Sequence, residues 1–386
     1  MMSKQKIKKP KFYDISKILK YKADYNIIYG LRSNGKTHSI LDIGLFGYHD
    51  DYFNYDGYLE GGTPFAIIRR YAENFKGKYG RQQFDGFINN AYDGNILYTK
   101  SKGRYNYIHY EGNKWYLWLV NENGEVIDKD NNPFCYGFAL ANDEFYKSIA
   151  YPPINLILFD EFLTRKYYIV DEFVTLMSVL STIIRKRDGV TIFMCGNTVD
   201  MYSPYPREMG LTHMRTQKIG TIDLYTYGES ALKVAVEYVG DKAPQEKKNP
   251  SNKYFAFNNP KLKMVTSGTW ELGIYPHLPM KYIPKNIIYM YFIKFESEVV
   301  QCEIISIGNT LFTYIHRKTT EIKDNGTYLV YQQTADARPN YRIHINKPRT
   351  NIERKIVDFF LKDKVFYQDN SVGELVRAYI NWCGNL

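Results

Sequence analysis

Eight residues near the N-terminus have the types and spacing of a phosphate-binding P-loop. Residues 30–37, Gly-Leu-Arg-Ser-Asn-Gly-Lys-Thr, match G-x-x-x-x-G-K-[ST] at every fixed position. In such a loop, backbone N–H groups surround phosphate oxygens at the start of a helix. Lys36 would reach the β- and γ-phosphates of ATP, and the Thr37 hydroxyl would bind Mg²⁺. The predicted ATP-binding residues are Gly30, Leu31, Arg32, Ser33, Asn34, Gly35, Lys36 and Thr37.

A pair of carboxylates follows a later apolar run. Residues 154–159 read as a buried strand, and Asp160 and Glu161 come directly after it. Metal binding and water activation need two different carboxylates. We therefore predict that Asp160 holds Mg²⁺ with Thr37, and that Glu161 orients and polarises the attacking water. The presence of Glu161 favours hydrolysis over phosphoryl transfer to a bound acceptor.

Four further residues have more than one interpretation. Arg185 follows an amphipathic helix, where a cation suits the helix C-terminus but could also act as an arginine finger in a neighbouring subunit. Asn197 ends the next strand and either senses the γ-phosphate through water or belongs to an ordinary turn. Arg69 and Arg70 end the second strand and could contact phosphate, a partner or DNA, or pair with acids.

Strands and helices that alternate along the chain must position these residues. Apolar runs at 25–29, 65–69, 154–159, 190–195 and 222–226 predict an α/β architecture with a mainly parallel sheet, and the P-loop makes this a P-loop NTPase fold. Runs at 95–99, 105–110, 115–120 and 125–128 predict an inserted antiparallel meander.

The chain divides into two predicted domains. Residues 1–238 form the ATPase domain with a basic arm at 1–12, and residues 239–265 have the Pro- and Lys-rich composition of a linker. Residues 266–386 read as an α+β domain of successive strands and two helices. Each of these helices is predicted to begin with a capping box, at 350–353 and 371–374.

Composition narrows the class of protein. The formal net charge of +10 favours polyanionic partners, nucleic acid above all. Four scattered cysteines indicate neither a zinc site nor a disulfide framework, which fits a reducing cytoplasm. No apolar run approaches the ~20 residues that span a bilayer, so we expect no membrane partner.

The motifs at 30–37, 67–71, 158–162, 184–187 and 195–197 together resemble the genome-packaging ATPases of phi29-like tailed phages. The resemblance implies a homo-oligomeric motor, typically a pentameric ring, that docks on the portal of a procapsid in the host cytoplasm and pumps double-stranded DNA inward. It implies that the P-loop fold is of the ASCE type, places Arg185 as the trans-acting arginine and suggests that Arg32 biases the rotamer of Glu161. A DNA-gripping lysine expected after residue 71 is absent; Lys76 or Lys78 could replace it.

The resemblance also implies that the C-terminal domain is RNase H-like. Its first long strand carries no aspartate, so we expect a vestigial nuclease that docks on the portal, a capsid-bound RNA or DNA. Three alternatives remain at this point: another ring motor such as a helicase or conjugation-type pump, a terminase with an active nuclease, and a non-enzymatic nucleic-acid-binding module.

Overall fold

The computed structural model describes residues 12–165, 167–228, 230–240, 270, 273–323 and 326–384. These residues fall into two units, one holding residues 12–240 and Trp270, the other beginning at residue 273. Nearly all of the predicted basic arm and linker lies outside the described residues. The predicted domain boundaries therefore stay a prediction.

Twelve strands are described in unit 1, ten of them in one sheet and two in a small hairpin, β2 with β3. The strands are β1 (Tyr25–Gly30), β2 (Tyr48–His49), β3 (Asn54–Tyr55), β4 (Phe65–Arg69), β5 (Tyr107–Glu111), β6 (Lys114–Val120), β7 (Val126–Lys129), β8 (Cys135–Ala139), β9 (Leu156–Asp160), β10 (Thr191–Asn197), β11 (Ile222–Tyr227) and β12 (Leu232–Val239).

The helices of unit 1 cover the two faces of this sheet. Successive residues of a strand point to opposite faces, so Ile27 belongs to one apolar cluster and Ile28 to the other. The α-helices are α1 (Ser16–Leu19), α2 (Lys36–Phe46), α3 (Lys78–Arg81), α4 (Asp85–Ile88), α5 (Ile96–Lys100), α6 (Asp143–Tyr146), α7 (Glu172–Ile184) and α8 (Pro204–Glu208).

The centre of the sheet is parallel, in the order β12-β1-β10-β9-β4-β8. The strands of this core are short and mostly buried, as strands covered on both faces should be. The predicted mixed α/β architecture with a large parallel sheet is therefore confirmed.

Three strand predictions need correction. The run at 222–226 is a strand, but it pairs antiparallel with β12 at the edge. Two core strands, β8 and β12, were not predicted from the sequence. β8 contains Gly137, which reads as a loop residue, yet a side chain there would contact Phe75 and Trp115 at 3.0–3.1 Å. β12 is largely buried, although two charged residues, Lys233 and Glu237, interrupt its apolar run.

The predicted meander is present as β5, β6 and β7, and its last run is shifted by one residue. The predicted strand at 95–99 is wrong, since α5 occupies this segment. The Asn95 side chain accepts a hydrogen bond from the Tyr98 N–H at 2.8 Å and so caps the helix. β6 also pairs antiparallel with β8, which makes the meander an extension of the main sheet.

Unit 2 contains a six-stranded sheet with the order β17-β16-β13-β14-β15-β18. The strands β13, β14 and β15 are antiparallel, whereas β16 runs parallel to β13 and β18 parallel to β15. The elements are β13 (Ile287–Phe295), β14 (Glu298–Ile307), β15 (Thr310–Arg317), β16 (Leu329–Tyr331), β17 (Tyr341–Arg342), α9 (Asn351–Leu361), β18 (Val365–Tyr367) and α10 (Asn370–Trp382).

Side chains cap both helices of unit 2. Thr350 caps α9 by accepting from the Glu353 N–H, as predicted. The second predicted capping box is wrong, because Asp369, two residues before Ser371, caps α10 by accepting from the Val372 N–H at 2.9 Å. The aspartate two residues earlier provides the stronger, charged acceptor.

Candidate active site

The predicted site residues meet at the edge formed by the carboxyl ends of the parallel strands. Gly30 of β1 is the register partner of Asn197 of β10, and Cys195 of β10 is the partner of Asp160 of β9. On the other side of β9, Ile68 pairs with Phe159, so Arg69 and Asp160 both end their strands at this edge.

The loop between β1 and α2 requires glycine at both ends. Gly30 has a φ of 130°, and a β-carbon there would lie 2.0 Å from the carbonyl oxygen of Val239 in β12. Gly35 has a φ of 91° and immediately precedes α2. Ser33 between them also has a positive φ, of 54°. The loop therefore turns sharply from a buried strand into the first turn of a helix, as the motif predicts.

Lys36 is a buried cation held within this loop. Its ammonium donates hydrogen bonds to the Leu31 carbonyl and to Asn34 Oδ1, the latter at 3.2 Å. Burial lowers the pKa of Lys36, and the negative charge of Asp160 opposes this shift. Anionic phosphate oxygens would provide the compensating charge that burial demands.

Thr37 and Asp160 form the predicted metal pair. The Thr37 hydroxyl donates to Asp160 Oδ1 at 3.0 Å, although 123 residues separate them. Mg²⁺ prefers oxygen ligands and takes one or two from the protein, completing its shell with phosphate and water. The donor set of Thr37 and Asp160 fits this requirement.

Arg69 joins the two adjacent carboxylates, a role that the sequence left open. Its guanidinium lies 2.8 Å from Asp160 Oδ2 and 2.9 Å from Glu161 Oε2. Arg69 and Asp160 are largely buried, whereas 62% of the Glu161 side chain is exposed. Glu161 can therefore turn toward solvent, while Asp160 is fixed between Arg69 and Thr37.

The backbone at Glu161 is strained and is held from behind by Arg70. Glu161 has a φ of 60°, an uncommon value for a non-glycine residue that is often found at functional sites. Arg70 donates to the carbonyls of Glu161 and Phe162 at 3.1 and 2.8 Å. It also forms a buried two-point ion pair with Glu172, which accepts further hydrogen bonds from the Tyr205 hydroxyl and the Ile169 N–H.

Arg185 lies at the other end of the parallel strands, the end at which they begin. It follows α7, and its guanidinium donates to the carbonyls of Thr182 and Ile149. Arg187 similarly contacts Asn155, just before β9 begins. Since β9 runs for five residues from this edge to Asp160, the two edges are about 16 Å apart at ~3.3 Å per residue. Arg185 is therefore remote from the site of its own chain.

The remaining predicted residues sit at the rim of the site. Asn197 is half-buried, and its carbonyl accepts from the Val199 N–H at 2.8 Å. Arg32 is exposed in the loop. The ion pair that the structure gives Glu161 is with Arg69. The suggested influence of Arg32 on Glu161 stays a prediction.

A cavity of about 760 Å³ opens beside the loop. Its lining combines apolar and polar side chains: Phe12, Ile15, Ile43, Tyr48 and Ile96, together with Ser33, His38, Ser39, Asp42, Asn90, Asp93, Thr99 and Lys100. A concave site that combines apolar surface with polar groups is typical of small-molecule binding. The cavity lies where a nucleotide could extend away from the phosphate loop.

The fold described above is that of a mixed α/β protein with a large parallel sheet, and this chain is similar to known proteins. Two curated relatives, each named DNA packaging protein, come from Bacillus phage PZA and Bacillus phage phi29. Each is 24% identical over 200 residues, which cover 50% of this chain and 48% of the relative. The chain thus matches about half the length of these relatives. No protein-family model matches the chain.

A solved structure extends the likeness to nearly the whole chain. It is titled the bacteriophage Phi-29 viral genome packaging motor assembly, with a TM-score of 0.50 and 19% identity. The match covers 96% of this chain and 100% of that one. The resemblance to the phi29-like packaging ATPases that the motifs indicate is confirmed.

Within the described ranges, no helix has the length and apolar character needed to cross a bilayer.

Proposed function

We propose that this protein is an ATP-driven motor that moves double-stranded DNA into a viral procapsid. The observation that carries the proposal is the Thr37–Asp160 hydrogen bond at 3.0 Å, which puts a P-loop hydroxyl beside the carboxylate preceding Glu161. The similarity to curated DNA packaging proteins supports DNA as the cargo. The net charge of +10 suits a nucleic-acid partner whose phosphates the protein contacts.

The site residues divide the chemistry among them. The backbone of residues 30–37 and the ammonium of Lys36 bind the phosphates of ATP, and the cavity beside the loop accepts the base. Thr37 and Asp160 hold Mg²⁺, which neutralises charge on the phosphates. Glu161 orients a water molecule and takes its proton once the carboxylate leaves Arg69.

The strand order supports the ASCE type of P-loop fold. β10 lies between β1, which leads into the P-loop, and β9, which ends at Asp160. Its last residue, Asn197, is the register partner of Gly30. This position suits a polar side chain that contacts the γ-phosphate through water.

The remote position of Arg185 supports a site shared between subunits. At ~16 Å from the carboxyl edge, it can stabilise a γ-phosphate only in another copy. Exposed apolar side chains accompany both halves of such a site: Phe145 and Ile149 near Arg185, and Val170 and Val174 at the start of α7 near Glu161. Pairing of two different patches is a head-to-tail contact, which closes into a ring. We take the ring to be a homopentamer, as in the resembling family.

Unit 2 serves as the docking domain in this proposal. Its antiparallel β13-β14-β15 and the added parallel β16 and β17 suit an RNase H-like sheet. β13 carries no carboxylate, and Glu303 of β14 is engaged by the Tyr282 hydroxyl and by His316. A vestigial nuclease that contacts the procapsid portal, or a capsid-bound RNA, fits these features and action at the portal in the host cytoplasm.

The test is an ATPase assay with and without double-stranded DNA and purified procapsids. We expect Mg²⁺-dependent hydrolysis that both additions stimulate. Glu161→Gln should abolish turnover and leave ATP binding intact, while Glu321→Gln, an exposed substitution in unit 2, should change neither. Turnover by Glu161→Gln protein would remove the assignment of the water-activating residue. DNA stimulation without any effect of procapsids would favour another DNA motor.

A further inference from the structure

The outer face of the meander carries a row of aromatic side chains. In the β5–β6 register, Tyr107 pairs with Trp118 and His109 with Tyr116. These four share one face, since residues two apart on a strand point the same way. The alternate residues Trp115 and Leu117 point to the other face and are fully buried. The meander thus packs one face on the core and leaves an aromatic face open.

The rings on this face lie in contact with one another. The ring centroids of His109 and Trp118 are 3.8 Å apart with planes 5° from parallel. Tyr107 lies 6.2 Å from Trp118, and Tyr116 lies 6.2 Å from His109. Tyr107 is 38% exposed and the others are partly exposed. Together they form a platform about three rings long.

Lysines flank the platform. Lys129 of β7 pairs with Trp118, and Lys114 pairs with Glu111 at the other end of the hairpin and is exposed. Lysine is depleted at the centres of protein–protein interfaces. Aromatic rings beside cations are instead the arrangement that stacks unpaired bases and contacts the linking phosphates.

We propose that this face binds single-stranded nucleic acid. Tyr107, Trp118 and the neighbouring rings stack on two or three unpaired bases, and Lys114 and Lys129 contact the phosphates between them. Both single-stranded DNA and an unpaired stretch of RNA offer this chemistry. The proposal is independent of the motor function, because the paired bases of a DNA duplex are closed to stacking.

The experiment measures binding of the full chain to a labelled thymidine oligomer, a uridine oligomer of equal length and a DNA duplex. Tyr107→Ala should weaken single-strand binding roughly 5- to 100-fold, as removal of one stacked ring does. It should leave duplex binding and ATP turnover unchanged. Tyr21→Ala, which removes an exposed tyrosine next to α1, is the matched control and should bind all three probes normally.

A second readout does not depend on the alanine variant folding. Bound bases should quench the fluorescence of Trp118, and Trp118→Phe should bind with near-native affinity while losing that quenching. A stronger effect of Tyr107→Ala on the uridine oligomer would identify RNA as the ligand; a stronger effect on the thymidine oligomer would identify DNA. Unchanged single-strand affinity in Tyr107→Ala, or an equal loss on the duplex, would overturn the proposal.

Discussion

Arg70 connects the fold to the position of Glu161. It lies 6% exposed between the carbonyls after β9 and the carboxylate of Glu172 at the start of α7. Burial alone would lower the pKa of this guanidinium, but the hydrogen bonds and charge of Glu172 outweigh it and raise the pKa. Arg70 therefore stays charged and holds the strained turn at Glu161 in one conformation.

Removing one partner of the Arg70–Glu172 ion pair should strongly lower the stability of the fold. Arg70→Ala leaves Glu172 buried without its counter-charge, and we expect the free energy of unfolding to fall by about 3–5 kcal/mol. The double variant Arg70→Met with Glu172→Met should lose less. Urea denaturation measures both. Lys147→Ala, which breaks an exposed pair, should leave the unfolding transition nearly unchanged because solvent screens such pairs; an equally small effect of Arg70→Ala would contradict the role of Arg70.

The residues that belong to local motifs could be predicted from the sequence. The P-loop and the Asp160-Glu161 pair are contiguous in the chain, and their chemistry depends on residue type. The roles of Arg69 and Arg70 could not be predicted, because their partners lie 91 to 102 residues away. An arginine at a strand end is compatible with DNA, phosphate or acid until the neighbouring strand is known.

At the scale of elements, Gly30 sets how closely β12 approaches the P-loop. Gly30→Ala would put a methyl group 2.0 Å from the Val239 carbonyl, so β12 must move away from β1. We expect ATP affinity to fall by roughly tenfold or more, about 1.4 kcal/mol, measured by calorimetric titration. Gly61→Ala is the control variant. Gly61 has a φ of 92° and open space around it, so this substitution introduces backbone strain without a steric clash. Similar ATP affinity in the two variants would contradict this account.

His316 and Glu303 should make unit 2 sensitive to pH. The hydrogen bond to Glu303 raises the pKa of His316. Burial works to raise the pKa of Glu303, but hydrogen bonds from His316 and Tyr282 prevail and lower it. The stabilisation by His316 is complete below about pH 6.5 and is lost as the pH rises through its raised pKa. The stabilisation by Glu303 is lost as the pH falls through the lowered pKa of the Glu303 carboxyl group.

We therefore expect the melting temperature of unit 2 to be highest between about pH 4.5 and 6.5. Scanning calorimetry from acid to neutral pH measures this profile. His316→Gln should flatten the decline above pH ~6.5. His213→Gln, an exposed histidine in unit 1, is the control. A decline that is unchanged in His316→Gln would contradict the assignment to this pair.

Strands were predicted correctly where apolar runs are uninterrupted. They were missed where tertiary packing determines whether a segment forms a strand. β4 begins and ends as predicted because its first four residues are an uninterrupted apolar run. β8 was missed because its glycine accommodates Phe75 and Trp115, which only tertiary packing can show. The segment at 95–99 formed a helix because a local Asn95 cap outweighed its β propensity.

At the scale of the whole molecule, a shared active site predicts complementation between inactive chains. Arg185→Ala and Glu161→Gln proteins should each lack DNA-stimulated ATPase activity. Mixing them should restore part of it, because some neighbouring pairs combine an intact Glu161 with an intact Arg185. A chain carrying both substitutions, mixed with Arg185→Ala protein, has no such pair and is the control. Failure of the first mixture to exceed the second would contradict a trans role for Arg185.

The placement of β1 sets a condition on biosynthesis. This strand is synthesised before both of its neighbours, β10 and β12, which end at residues 197 and 239. One side of β1 therefore has no partner until the ribosome has released the chain past residue 239. Nascent chains stalled earlier carry an apolar strand with an open edge, the kind of surface that chaperones protect from aggregation.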